Sequence, residues 1–169
     1  MKNLFLVLLI IPVFSFSQKL DSITDTKTEY LPVVVEIAMP KEKIYEKMKS
    51  WINRYYKNPK IVVKADDPNS YLRIEGINDY YFYQGGKVTN NIKYILEIEI
   101  QDNKYRLRFS NVSDDRLSVR EFLPSAMYNK KGEFKSFKKV TQSIKIGILD
   151  SLNEIHFDIY NYFTVENKW

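Results

Sequence analysis

Residues 92–109 read IKYILEIEIQDNKYRLRF, and the way this stretch folds decides the architecture of the chain. Asp102 and Asn103 both tolerate a positive φ, so they suit a two-residue turn between two strands. That turn sets the register. Ile100 faces Tyr105, Ile98 faces Leu107 and Leu96 faces Phe109, so every pair on this face is apolar. On the opposite face Glu99 meets Arg106 and Glu97 meets Arg108. Turn chemistry, apolar alternation and charge pairing agree, which is the signature of an antiparallel hairpin with one covered and one open face.

Working back from the hairpin, Tyr71 to Gln84 forms the preceding strand. A turn through Gly85, Gly86 and Lys87 places Leu72, Ile74, Tyr80 and Phe82 on the covered face. Tyr81 and Tyr83 then point to the open face and are candidate contacts there. Gly76 is a candidate bulge position. Ile61 to Asp66 supplies a further strand, closed by the turn DPNS. Before it, Leu31 to Met39 alternates so that Leu31, Val33, Val35, Ile37 and Met39 share one face. Pro40 opens a helix to about Tyr56, in which Ile44, Met48, Trp51, Ile52 and Tyr55 line one side. After the hairpin, 113–136 is irregular. A long helix follows over 137–163, with Phe137, Val140, Ile144, Ile148, Leu152, Ile155, Ile159 and Tyr162 as one apolar stripe.

The order strand, helix, four strands, helix predicts a two-layer α+β domain. A five-stranded antiparallel curved sheet has one face covered by two helices. The chain has 169 residues, enough for one domain. The domain spans 30–163, behind a polar leader at 18–29 and ahead of a C-terminal tail at 164–169. Residues 1–17 read as a signal peptide. A charged start at Lys2 precedes the uncharged run LFLVLLIIPVFSF, and small residues stand at Ser15 and Ser17. Cleavage after Ser17 would leave a periplasmic or extracellular protein, with the membrane involved only through the uncleaved signal. The chain has no cysteine, which removes disulfides, thiolate metal sites and cysteine nucleophiles.

The segments VVVEIAMP, KEKIYEKMKSWI, YLRIEG and IKYILEIEIQDNKYRLRF resemble an exported family of unknown function from Bacteroidetes with a TATA-binding-protein-like fold. The resemblance covers about Val33 to Val112. This chain carries Asp102-Asn103 where that family more often has Asp-Gly. The resemblance implies the fold and the exported compartment, and it brings no catalytic residues.

No catalytic constellation or cofactor motif is visible. His156 is the only histidine, flanks the long helix, and lacks the partners of a triad or a zinc site. Asp66-Asp67 and Asp114-Asp115 are acidic turn pairs without calcium-loop spacing. The formal net charge of +5 is spread along the chain, which fits a solvated surface and not a nucleic-acid footprint. Two functional readings follow. One is a non-catalytic binding module for an envelope or extracellular protein, or for a second copy of the chain. It uses a second apolar patch on the long helix at Ile146, Leu149, Phe157 and Tyr160, which the segment 116–134 could instead cover. The other is a carrier of a small apolar ligand in a cavity between sheet and helix, walled by Tyr80, Phe82, Leu96, Phe109, Ile148 and Leu152.

Overall fold

The computed structural model describes residues 30–114, 130–131 and 139–165. The elements run β1 Val33–Glu36, α1 Lys41–Tyr55, α2 Pro59–Val62, β2 Val63–Asp67, β3 Tyr71–Tyr83, β4 Lys87–Gln101, β5 Lys104–Asp114 and α3 Lys139–Thr164. One antiparallel sheet has the strand order β1-β5-β4-β3-β2. Both long helices lie on one face of it, and the core fills the space between.

The hairpin has the expected register: Leu96 opposite Phe109, Ile98 opposite Leu107, Ile100 opposite Tyr105, and Glu97 and Glu99 opposite Arg108 and Arg106. Asn103 adopts φ 64° at the turn. Four details differ from the sequence reading. The β3–β4 turn is made by Gln84, Gly85 and Gly86, with Tyr83 opposite Lys87 and Gly85 at φ 72°. This slides the strands by two residues from the expected register. Two residues is the side-chain period of a strand, so every residue keeps its face. Leu72, Ile74, Tyr80 and Phe82 are therefore buried as expected.

The second difference is at Ile61, which lies in the short helical turn α2 and is 66% exposed. Pro59 occupies a first helical position, where its fixed φ is already helical and its missing N–H costs nothing. The third is β1, which is shorter than Leu31–Met39. Met39 N–H turns back to the Ile37 carbonyl at 2.6 Å and leaves the ladder.

Gly76 marks no bulge between β3 and β4. It stands instead under the Tyr94 ring, where a Cβ would come within 2.4 Å of the ring. The bulge lies on β5. Lys93 pairs with Ser113 and Ile95 with Ser110, so β5 carries one extra residue, and Asn111 there has φ 49°. An extra residue reverses the alternation beyond it. Val112 and Asp114 consequently join the covered face with Phe109.

Helix α1 contributes Ile44, Met48, Trp51 and Ile52 to the core, and α3 contributes Ile148, Leu152, Ile155, Ile159 and Phe163. The helices are tied to each other by Trp51 Nε1–H donating to Asp158 Oδ2 at 2.6 Å, with the Arg54 guanidinium 4.6 Å from the Tyr162 ring centre. Residues 116–129 and 132–134 of the segment proposed to cover the helix patch lie outside the described residues, as do 1–29 and 166–169.

Candidate interaction surface

Strand β3 outruns its neighbour. Its pairing with β2 ends at Ile74 opposite Val63, while its pairing with β4 continues to Tyr83. From Glu75 to Tyr83 one side of β3 therefore has no strand beside it among the described residues. A bare edge would leave backbone donors and acceptors exposed to any passing strand. Helix α3 covers this edge. Ser143 Oγ accepts from Tyr83 N–H at 2.7 Å, and Ser151 Oγ donates to the Asp79 carbonyl at 2.7 Å. Between them Gly147 meets Tyr81 so closely that a Cβ would stand 1.9 Å from its carbonyl oxygen. Four helical residues rise about 6 Å and two strand residues about 6.7 Å, so Ser143, Gly147 and Ser151 keep step with Tyr83, Tyr81 and Asp79.

This docking sets the surface. Side chains of odd-numbered β3 residues leave on the open face, and Ile77, Tyr81 and Tyr83 are 55%, 44% and 66% exposed. Ile146 is the residue before Gly147, so the helix carries it to the same seam, 52% exposed. Lys87 Nζ lies 3.9 Å from the centre of the Tyr81 ring, a cation–π contact that orients the tyrosine.

The rest of the open face is laced with charge pairs. Arg106 binds both carboxylate oxygens of Glu99, and Arg108 pairs with Glu97 at 2.7 Å. Tyr71 Oη–H donates to Glu97 at 2.9 Å. Glu75 lies 3.8 Å from Lys64 and 3.9 Å from Arg73. These pairs alternate in sign across the sheet and leave no single-sign field.

The helix patch inferred from the sequence divides. Ile146 reaches the seam. Leu149 and Tyr160 are half-buried against the core, and Phe157 is half-buried with its ring 5.3 Å from that of His156. The candidate cavity walls Tyr80, Phe82, Leu96, Phe109, Ile148 and Leu152 all belong to one buried core cluster. Two depressions, both at the β1 edge, are lined by none of the six.

Several polar groups in the interior are held by one another. The β5 bulge brings Asp114 inward, where Tyr80 Oη–H donates to it at 2.6 Å and Asn90 Nδ2 at 2.5 Å. Burial, then the hydrogen bond to Asp114, pushes the Tyr80 hydroxyl well above its ordinary value. Tyr56 and Tyr94 share a hydrogen bond of 2.9 Å, and burial pushes both up. His156 is fully buried. Asp66 is engaged by Tyr45 and Lys49, and Ser70 Oγ–H donates to Asp67. Among the described residues, no three acidic or histidine side chains gather as metal ligands do.

Residues 33–114 match the family described as "Domain of unknown function (DUF4468) with TBP-like fold". The protein carries a DUF4468 domain. Two solved structures share its fold. One is a DUF4468 family protein from Bacteroides ovatus, at TM-score 0.64 and 13% identity, covering 87% of this chain and 93% of that one. The other is a TBP-like protein from Parabacteroides distasonis, at TM-score 0.62 and 13% identity, covering 82% of this chain and 94% of that one. No curated protein matches the chain. The DUF4468 match ends at Asp114, so it contains the whole sheet and α1 but not α3. Within the DUF4468 domain β3 supplies Ile77, Tyr81 and Tyr83, and the following helix adds Ile146. The sequence signal for the seam was Ser143-x3-Gly147-x3-Ser151, three small residues on one side of the helix. Reading only the apolar stripe passed over it.

Proposed function

We propose that the protein is an exported, non-catalytic binding module of the bacterial envelope that meets a protein partner through the β3–α3 seam. The observation that carries this reading is the exposure of Ile77, Tyr81 and Tyr83 on β3 and of Ile146 on α3, next to the Gly147 that touches Tyr81. Tyrosine and isoleucine on a rigid strand offer large contact area at low conformational cost. Exposed apolar groups in this number on a small domain mark contact surfaces. The charged start, apolar run and small residues of 1–17 support export. A carrier role would need a cavity between sheet and α3; the six candidate wall residues all belong to one buried core cluster, and interiors are normally close-packed, which supports the contact-surface reading.

The test has two parts. Intact mass of the protein made in its host reports cleavage, expected after Ser17; a chain still beginning at Met1 overturns export. Affinity capture from the envelope fraction then compares the wild type with Tyr83→Asp and Ile146→Asp, each first shown to keep its melting temperature. A protein held by the wild type and lost by both variants is the expected result. An unchanged captured set overturns the surface assignment.

A further inference from the structure

The sheet has a second outer edge, at β1, and it is built differently from the edge that α3 covers. Among the described residues, strand β1 pairs only with β5. Val33 lies opposite Leu107 and Val35 opposite Tyr105, and Ile37 N–H donates to the Asn103 carbonyl at 2.8 Å. Odd-numbered residues therefore spend their backbone groups inward. Val34, between them, turns its N–H and C=O away from the sheet. Its side chain is 53% exposed on the open face, and Leu31 just before the strand is 39% exposed.

Natural sheets guard their edges with bulges, charges or a covering element. Helix α3 guards β3. Strand β2 is irregular between Val63 and Ala65 and carries Lys64, Asp66 and Asp67. Strand β1 has three consecutive valines and a regular register with β5. Depressions flank it on both faces. On the open side one of about 180 Å³ is lined by Val34, Gln101, Lys104 and Arg106. On the covered side one of about 690 Å³ is lined by Ile37, Met39, Tyr160 and Phe163, with Asp102 and Lys104 at its polar part.

We infer that a second copy of the chain fills this edge, pairing β1 with β1 antiparallel about a twofold axis at Val34. In this register Val34 faces the partner's Val34 and exchanges both backbone hydrogen bonds with it. Val33 faces the partner's Val35. Leu31 faces the partner's Ile37 and enters the covered-side depression that Ile37, Tyr160 and Phe163 wall. Both exposed apolar side chains thus land on apolar acceptors, which is the self-complementarity an isologous contact requires. A register centred on Glu36 would oppose two carboxylates. Pro32, lacking an N–H, limits the ladder beyond the valines. The two five-stranded sheets become one continuous ten-stranded sheet, and the β3–α3 seams lie at its far ends.

The test uses the absence of cysteine from the chain. Directly opposed, hydrogen-bonded residues of an antiparallel pair have Cα atoms about 5.5 Å apart, inside the roughly 4.4–6.8 Å range that a disulfide spans. Val34→Cys is expected to form a covalent dimer under mild oxidation, while Ile61→Cys, at an exposed site on α2, stays monomeric in denaturing gels. Light scattering of the wild type is expected to give twice the chain mass. Val34→Lys, which places two ammonium groups at the axis, is expected to give the monomer mass at an unchanged melting temperature. A wild type that is monomeric throughout its soluble range overturns the inference. So does a dimer that Val34→Lys leaves intact, or one that Val34→Cys fails to cross-link faster than Ile61→Cys.

Discussion

Asp102 Oδ1, in the β4–β5 turn, accepts a hydrogen bond of 3.0 Å from Lys41 N–H at the start of α1, 61 residues earlier in the chain. Pro40 precedes the helix and supplies no side-chain cap of its own. The hairpin turn therefore caps the helix, and its negative charge sits at the positive end of the helix dipole. Asn103 N–H donates to the Met39 carbonyl at 2.9 Å and holds the same junction from the backbone. Asp102 thus serves the turn and the cap through its side chain, whereas Asn103 holds the junction through its backbone and could be glycine. Asp102→Ala should cost about 1 kcal/mol of stability, within a range of about 0.5–2, and Asp102→Asn less. Urea unfolding of the three proteins measures this.

Gly147 tests the docking of α3 on β3. An added methyl would stand 1.9 Å from the Tyr81 carbonyl oxygen, which is backbone and cannot swing aside. Gly147→Ala raises helix propensity by roughly 1 kcal/mol, so an isolated helix would gain from it. The folded protein should instead lose about 1–3 kcal/mol or more through the forced shift of the helix. Exchange of the Tyr83 amide, now bound to Ser143, should speed up in hydrogen-exchange mass spectrometry.

The two faces of the hairpin should respond differently to truncation. Phe109 is 4% exposed beside Tyr94, with ring centres 5.6 Å apart, and Phe109→Ala should cost about 3–5 kcal/mol. Glu99 lies on the open face with its Arg106 partner in water, so Glu99→Ala should cost well under about 1 kcal/mol. Chemical denaturation of both variants reads the contrast directly; equal losses would mean the faces are misassigned.

Alkaline pH should destabilise the protein. The hydrogen bond to Asp66, followed by burial, pushes the Tyr45 hydroxyl up to about 12, and burial with the charges of Asp158 and Glu154 pushes Tyr55 up to about 12. The unfolded chain ionises its tyrosines near pH 10. A folded value above the unfolded one means stability that is complete below about pH 10 and falls as pH climbs toward 12. The urea midpoint should therefore drop across this window, with tyrosinate absorbance rising together with unfolding. Asp66 gives the opposite limb. Burial works against its charge, but the Lys49 and Tyr45 hydrogen bonds outweigh it and lower its value. Its contribution is present above the ordinary carboxylate range and is lost as pH falls below it. Asp66→Asn should flatten that acid limb.

The sequence by itself determined the hairpin, the faces of β3, of β4 and of β5 as far as Phe109, and the core sides of α1 and of α3 from Ile144 to Ile159. Each of these is a periodic pattern read within one segment or across one short turn. The two-residue slip of β3 against β4 shows why: side-chain period makes the face certain even where the register is wrong. Only the tertiary structure decided that Asn111 bulges β5 and turns Asp114 inward, and that Asp102 caps a helix 61 residues away. It alone docked α3 on β3, because that meeting depends on a glycine, Gly147, against the carbonyl of Tyr81, 66 positions apart in the chain. Such contacts are made between segments by backbone approach and single polar atoms, and neither leaves a period in the sequence to read.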